Sequence, residues 1–237
     1  MYTVSKEILE ASGKIEVVVD NDAATSHPKA LSEIIGEFHG LAVRSGTEVT
    51  EEVLKNAKKL RVIGRAGIGI DNIDVQAATK QGVVVMNAPG GNTITTAEHT
   101  VSLMLALARN IPQGTASLRK GKWEKKRFSG VEITGKTLGI IGLGHIGRVV
   151  ADRAKGLKMA VIASDPYVSS EASKSLEVEL VPLNELFQRS DFITLHVPRL
   201  KETVGMINAT TIGMMKQGVR IINCSRGEII KIDDLYQ

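Results

Sequence analysis

The sequence predicts an α/β protein built on two open parallel sheets. Short runs rich in Val and Ile alternate with helical patterns along nearly the whole chain, as is typical of parallel strands buried on both faces. The apolar run 138–141 leads directly into Gly-x-Gly-x-x-Gly and then a helical pattern, which is the context in which this motif binds a dinucleotide. A turn-rich stretch at 87–92 separates two such alternations.

Capping residues mark the helices of the first half. Ser5, Thr50 and Asp74 suit the N-cap position, and Pro28 suits a first helical turn. We predict helices from Ser5 to Gly13, from Pro28 towards Phe38, after Thr50 and from Asp74 to Gly82, with strands at 15–19, 41–43, 61–64 and 83–86. In the flavodoxin-like order 2-1-3-4-5 the first strand lies inside the sheet. Because this chain begins on a helix, we expect that strand to be missing and the core to have a gap.

The second half continues the alternation. Its Ala, Leu and Met content predicts a long, largely buried helix over 93–109. Strands are predicted at 138–141, 159–164, 192–196 and 219–223, with a short one ending at Val181, and helices at 148–154, 170–175, 183–188 and 208–215. The turn-rich stretch sets the boundary between a flavodoxin-like substrate domain, 1–90, and a Rossmann domain, 91–237.

The glycine motif has a specific chemical use. Gly142 permits a tight turn, Gly144 leaves room for a pyrophosphate against backbone N–H groups, and Gly147 lets helix and strand pack closely. The next strand ends at Asp165, near the position of the acid that bonds the adenosine ribose diol. That carboxylate would repel a 2′-phosphate, so the sequence predicts NAD rather than NADP.

Composition narrows the class of protein. Apolar residues make up 43% of the chain, and the net charge of +4 is small, so neither a membrane segment nor a nucleic-acid surface is indicated. Cys224 is the single cysteine, which excludes an internal disulfide and favours the cytoplasm. The basic stretch 120–127 is interpreted as a solvated loop, with attraction of an anionic substrate as the alternative.

Four motifs carry a resemblance to a known family. They are Arg-Ala-Gly-Ile-Gly-Ile-Asp-Asn at 65–72, Asn-Ala-Pro-Gly-Gly-Asn at 87–92, the Gly142 turn, and Asn-Cys-Ser-Arg-Gly at 223–227. In these the chain resembles the D-isomer-specific 2-hydroxyacid dehydrogenases. Its loop at 121–127 is similar to that of the members acting on 3-phospho-D-glycerate in the first step of serine biosynthesis. Glyoxylate or hydroxypyruvate reduction is the alternative within the family.

The resemblance implies an active site in the cleft between the two domains and a role for each matching residue. Oxidising a 2-hydroxy acid needs a nicotinamide, a cation for the carboxylate and a general base. Arg226 follows a parallel strand at its carboxyl end, where such sheets bind ligands, and matches the family's catalytic arginine. Substrate contacts are implied for Arg44, Arg65, Gly67, Ile68, Gly69 and Asn92, and cofactor contacts for Gly142, Gly144, His145, Ile146, Gly147, Asp165, Val197, Cys224, Ser225 and Arg226.

Two departures from the family pattern matter. His145 replaces the usual arginine, and the family's catalytic histidine with its acidic partner has no counterpart. We therefore expect a fragment of a dehydrogenase that is slow by itself, and we interpret its five histidines as structural or surface residues. A non-catalytic NAD-binding regulator or scaffold is the alternative. The apolar helix 93–109 and the family resemblance also predict a homodimer.

Overall fold

The computed structural model describes residues 2–20 and 27–236, with side chains from Lys6 onward. It divides into two compact units, 1–89 and 90–237. Each unit contains one parallel sheet with helices between its strands, so the predicted α/β class is confirmed. No helix of the described residues combines the length and hydropathy needed to cross a bilayer.

The first unit is built on a three-stranded sheet. Its helices are α1 (Tyr2–Glu10), α2 (Pro28–Ile34), α3 (Glu51–Asn56) and α4 (Val75–Lys80), and its strands are β1 (Gly40–Val43), β2 (Val62–Arg65) and β3 (Val84–Asn87) in the order β1-β2-β3. Thr50 and Asp74 cap α3 and α4 as predicted, each accepting a backbone N–H. Ile63 of β2 is fully buried against Leu54 of α3 and its neighbours.

Two predictions for this unit are wrong. Ser5 lies inside α1 rather than at its N-cap, since the helix begins at Tyr2. Residues 15–19 form no strand, and Ile15 and Val18 are 49% and 63% exposed. In the order 2-1-3-4-5 the second strand bonds only to the first. Among the described residues no strand takes that first position, so this apolar run has no ladder to join.

The second unit holds a five-stranded parallel sheet in the order β6-β5-β4-β7-β8. Its strands are β4 (Thr137–Ile141), β5 (Ala160–Ser164), β6 (Glu179–Leu180), β7 (Phe192–Leu195) and β8 (Arg220–Asn223). Its helices are α5 (Thr93–Ala108), α6 (Ile111–Arg119), α7 (His145–Gly156), α8 (Ser170–Ser175), α9 (Leu183–Arg189), α10 (Ala209–Ile212) and α11 (Ile232–Tyr236). Numbered within the unit, the order is 3-2-1-4-5, that of a Rossmann sheet.

Both faces of this sheet are covered. Leu138 and Ile140 pack on the side of α5 and α7, whereas Ile141, Ile193 and Leu195 pack on the side of α9. All five are at most 2% exposed. Alternate residues of one strand therefore enter separate cores, which explains the continuous apolar runs.

The long helix α5 is less buried than its composition predicted. Its buried residues are Ala97, Thr100, Met104 and Ala108, which form a single stripe at helical spacing. Leu103 and Leu107 are 40% and 38% exposed. The prediction failed because one face alone packs on the sheet layer, and the apolar residues on the other side remain at the surface of this chain.

Candidate functional site

Strand register brings the predicted cofactor residues to one edge of the second sheet. Ile141 pairs with Ser164 on one side and with Leu195 on the other, and Leu195 pairs with Asn223. The residues that follow these four strand ends therefore emerge together at the carboxyl edge. This is where open α/β sheets bind ligands.

Three glycines lie in or beside the turn after β4, and a side chain would meet different surroundings at each of them. Gly142 has a φ of +94°, and a side chain there would lie 2.7 Å from the carbonyl oxygen of His196. A side chain at Gly147 would collide with the Gly142 carbonyl. A Cβ at Gly144 would meet nothing within 4 Å, so the fold itself does not require glycine there. That open space beside the start of α7 fits a pyrophosphate.

Asp165 lies at the end of β5 and already serves the turn. One carboxylate oxygen accepts the Leu143 N–H at 2.8 Å, and the other accepts the Tyr167 N–H at 2.8 Å. A carboxylate has about four acceptor positions, so two remain for a ribose diol. The site thus fits the adenosine end of NAD. The sequence alone did not predict that Asp165 also fixes the turn through its own hydrogen bonds.

His196 and Val197 follow β7 and border the same turn. A Cβ at Gly142 would lie 2.9 Å from Cγ1 of Val197, so Val197 lies beside the glycine turn, and its contact with the cofactor stays a prediction. The His196 ring shares a hydrogen bond of 3.0 Å with Oγ1 of Thr194. Burial lowers the pKa of His196 to about 4, so the ring is neutral near pH 7. The sequence predicts a structural or surface role for this histidine, and that role stays a prediction.

Cys224, Ser225 and Arg226 form the turn that follows β8. All three are half-buried. The Arg226 guanidinium donates from Nη1 to the Ser225 carbonyl at 3.0 Å. Asn223, which sequence reasoning did not single out, holds this turn through hydrogen bonds to both Ser225 and Arg226. Asparagine commonly bonds backbone groups next to a turn, but it also caps helices, so the sequence alone does not assign it this role.

The remaining cofactor residues lie at the start of α7. His145 is its first residue and is exposed, with Gly144 as the N-cap. Ile146 is half-buried against the core of this unit. The helix N-terminus therefore offers backbone N–H groups and a partial positive charge for a pyrophosphate, without a permanent charge from the residue at 145.

In the first unit the Arg65–Gly69 turn follows β2. Gly67 has a φ of +153°, and a side chain there would collide with the Arg65 guanidinium. Asn87 donates to the Ile68 carbonyl at 2.8 Å, and the Ala88 N–H donates to the Gly67 carbonyl at 3.0 Å. These bonds fix the turn against the end of β3. Nε of Arg65 is buried without a hydrogen-bond partner.

Arg44 follows β1 and is exposed. Asn72 donates from its amide to the Arg44 carbonyl at 3.0 Å and to the Thr47 carbonyl at 2.6 Å. It thereby ties the loop after β1 to the loop after β2, so that Arg44 and Arg65 lie at one edge of the first sheet. Asn92 belongs to the second unit, where it is the N-cap of α5.

The Rossmann order, the glycine turn and the acid at the end of β5 define a protein of the dinucleotide-binding α/β class. The comparisons make this specific. Residues 101–237 match the model of the D-isomer specific 2-hydroxyacid dehydrogenase, NAD binding domain. The chain belongs to this family, and NAD is its cofactor. The predicted family, fold class and cofactor are confirmed.

Individual relatives agree. The chain is 51% identical over 232 residues to D-3-phosphoglycerate dehydrogenase of Methanocaldococcus jannaschii, covering 98% of this chain and 43% of that one. Apo D-lactate dehydrogenase from Escherichia coli superposes with a TM-score of 0.83 at 29% identity, covering 99% and 73%. D-lactate dehydrogenase from Aquifex aeolicus, solved with NAD and lactic acid, gives 0.80 at 32%, covering 86% and 62%. The chain spans less than half the length of the curated relatives it matches.

Proposed function

We propose that this chain forms part of an NAD-dependent dehydrogenase that oxidises 3-phospho-D-glycerate at carbon 2. The observation that carries the proposal is the position of Arg226. Its guanidinium follows β8 at the carboxyl edge of the sheet, and the glycine turn for the dinucleotide lies at the same edge. A protein that only binds NAD has no use for a carboxylate clamp at that point. The 51% identity to an archaeal D-3-phosphoglycerate dehydrogenase supports this substrate.

We assign a role in the proposed reaction to each residue of the site. Bound NAD would supply the acceptor for the hydride at carbon 2. Arg226 binds the carboxylate and the developing carbonyl oxygen, for which its planar donors are suited. In the first unit the Gly67 N–H donates to the Arg65 carbonyl, so we assign the backbone contacts with the substrate carboxylate to the N–H groups of Ile68 and Gly69.

The phosphate of the substrate is assigned to Arg65 and Arg44. Both arginines lie at the carboxyl ends of the paired strands β1 and β2, and guanidinium groups suit a phosphate. Asn92 completes the proposed substrate set. The general base is not assigned to His196, because a group with a pKa of about 4 is poorly matched to proton abstraction near pH 7.

The proposal is tested with the complete gene product. NADH formation from 3-phosphoglycerate is compared with NADH formation from D-glycerate. Glyoxylate and hydroxypyruvate are tested in the reverse direction, as substrates for reduction by NADH. We expect 3-phosphoglycerate to be preferred in the wild type and the preference to fall in Arg44→Ala and Arg65→Ala. Arg226→Ala should lose most turnover. NAD binding without turnover of any of these acids would refute the enzyme and favour a non-catalytic regulator.

We further propose that α5 and α6 lie at a homodimer interface. Their exposed apolar residues are Ile94, Leu103, Leu107, Ile111 and Leu118, each between 38% and 56% exposed. A surface of this kind is typical of protein interfaces.

We place the protein in the cytoplasm, in line with its single cysteine, which is free.

A further inference from the structure

The side chain of Asn223 bonds the backbone of the turn that presents Arg226. Asn223 is the last residue of β8, and its Oδ1 accepts two hydrogen bonds from Ser225, one from N–H at 2.9 Å and one from Oγ at 2.7 Å. Its Nδ2 donates to the Arg226 carbonyl at 2.8 Å. The amide thus satisfies polar groups of the residues two and three positions further on.

Two other contacts near this turn are longer or more exposed. The Ile229 N–H reaches the Arg226 carbonyl only at 3.3 Å. Arg199 and Glu228 form an ion pair of 3.0 Å across the neighbouring loop, but their side chains are 50% and 53% exposed, and such pairs contribute little. Asn223 is half-buried, so its bonds compete less with water.

The chemistry of the turn requires an amide at 223. Two groups of Ser225 need an acceptor, and the Arg226 carbonyl needs a donor. An ionised carboxylate accepts only, so aspartate would keep the bonds from Ser225 and place a negative charge against the Arg226 carbonyl oxygen. Glutamine would move the amide outward by one methylene.

We propose that Asn223 is a positioning residue, which sets the backbone of Cys224, Ser225 and Arg226 so that the guanidinium meets the substrate carboxylate. For its effect on the substrate, this inference rests on the function proposed above. We assign the adenosine end of NAD to the ends of β4 and β5, at Gly142 and Asp165, and not to this turn. Loss of the amide should therefore affect the two ends of the site differently.

The experiment compares Asn223→Asp with Asn184→Asp in the complete gene product. Asn184 is exposed on α9, so the control makes the same change of charge away from the turn. Dissociation constants are measured by calorimetry for NAD, for ADP-ribose and, with NAD present, for 3-phosphoglycerate. In Asn223→Asp we expect 3-phosphoglycerate to bind about tenfold more weakly, as for a lost hydrogen bond to a buried group, while ADP-ribose affinity stays within about twofold.

Limited trypsin digestion gives a readout that needs no substrate. Cleavage after Arg226 should be faster in Asn223→Asp than in the wild type, whereas cleavage after Arg127, which is exposed and pairs with Glu124 away from this turn, should keep its rate. If Asn223→Asp fails to fold, Asn223→Ser is measured in its place. Since Ser keeps a hydroxyl but loses the amide donor, the same pattern is expected.

The outcomes separate the two proposals. If the wild type does not bind 3-phosphoglycerate, the proposed function fails, and the digestion still decides whether Asn223 holds the turn. Wild-type digestion and wild-type affinities in Asn223→Asp would overturn the inference. An equal loss of ADP-ribose and 3-phosphoglycerate affinity would also overturn it, because Asn223 would then support the whole sheet edge and not the position of Arg226.

Discussion

The half-buried ring of His196 makes a measurable prediction about how stability depends on pH. Its folded pKa is depressed from 6.5 to about 4 by burial, so the unfolded chain binds this proton more readily than the folded one. The stabilisation from keeping the ring neutral is therefore complete above about pH 6.5 and is lost as the pH falls towards 4. A shift of this size corresponds to about 3 kcal/mol over the whole window and about 2 kcal/mol at pH 5.

The perturbation is His196→Gln, which removes the titration and keeps an amide able to bond Thr194. Urea unfolding is measured at pH 7 and pH 5 through amide signals of the second unit, because the two units need not unfold together. The loss of stability between the two pH values should be smaller in the variant by about 2 kcal/mol. His99→Gln changes an exposed histidine of α5 and should keep the wild-type loss.

Two results would refute this reasoning. One is an NMR titration in which the His196 ring has its midpoint near the usual histidine value. The other is an equal loss of stability for wild type and His196→Gln. Either result would mean that water reaches the ring beside the Gly142 turn and that burial does not control its charge.

Three more predictions concern the site and the surface. Gly144→Val should leave the unfolding free energy within about 1 kcal/mol of wild type and abolish NAD binding in calorimetry, whereas Gly142→Ala should destabilise the fold itself. Asp165→Ala should lose the preference for NAD over NADP, a preference worth on the order of 1–4 kcal/mol, and equal affinities in the wild type would contradict this. Leu107→Lys should shift the complete protein from dimer to monomer in light scattering, and a monomeric wild type would remove the claim.

Local signals in the sequence sufficed for most elements of this fold. The caps at Thr50 and Asp74 lie next to the helices they begin, and a glycine turn after an apolar run places the dinucleotide site without any long-range information. Residues 15–19 show the limit. Their Val and Ile content favours a strand, but a strand exists only where another one pairs with it, and that depends on distant residues.

The sequence identifies candidate site residues where a residue type has one chemical use, and it does not identify them where the type has several. Arginine after a strand and glycine in a turn point to anion binding and close approach. Asn72 and Asn223 are amides that bond backbone carbonyls across a loop, and nothing in their spacing separates them from asparagines that cap a helix, such as Asn208. Helix α6 is not among the predicted helices, although the proline in its first turn favours a helix start.

Asp165 both fixes the glycine turn and is assigned to the ribose, and this limits how the cofactor preference of the protein can change. The carboxylate that we assign to the ribose also accepts the Leu143 N–H and the Tyr167 N–H, one on each oxygen. Among neutral replacements, asparagine keeps a single acceptor oxygen and alanine keeps none, so each of these changes leaves at least one of the two backbone N–H groups without its acceptor. A change of cofactor preference at this position therefore also loosens the turn, and a second substitution near Leu143 or Tyr167 would be needed to restore it.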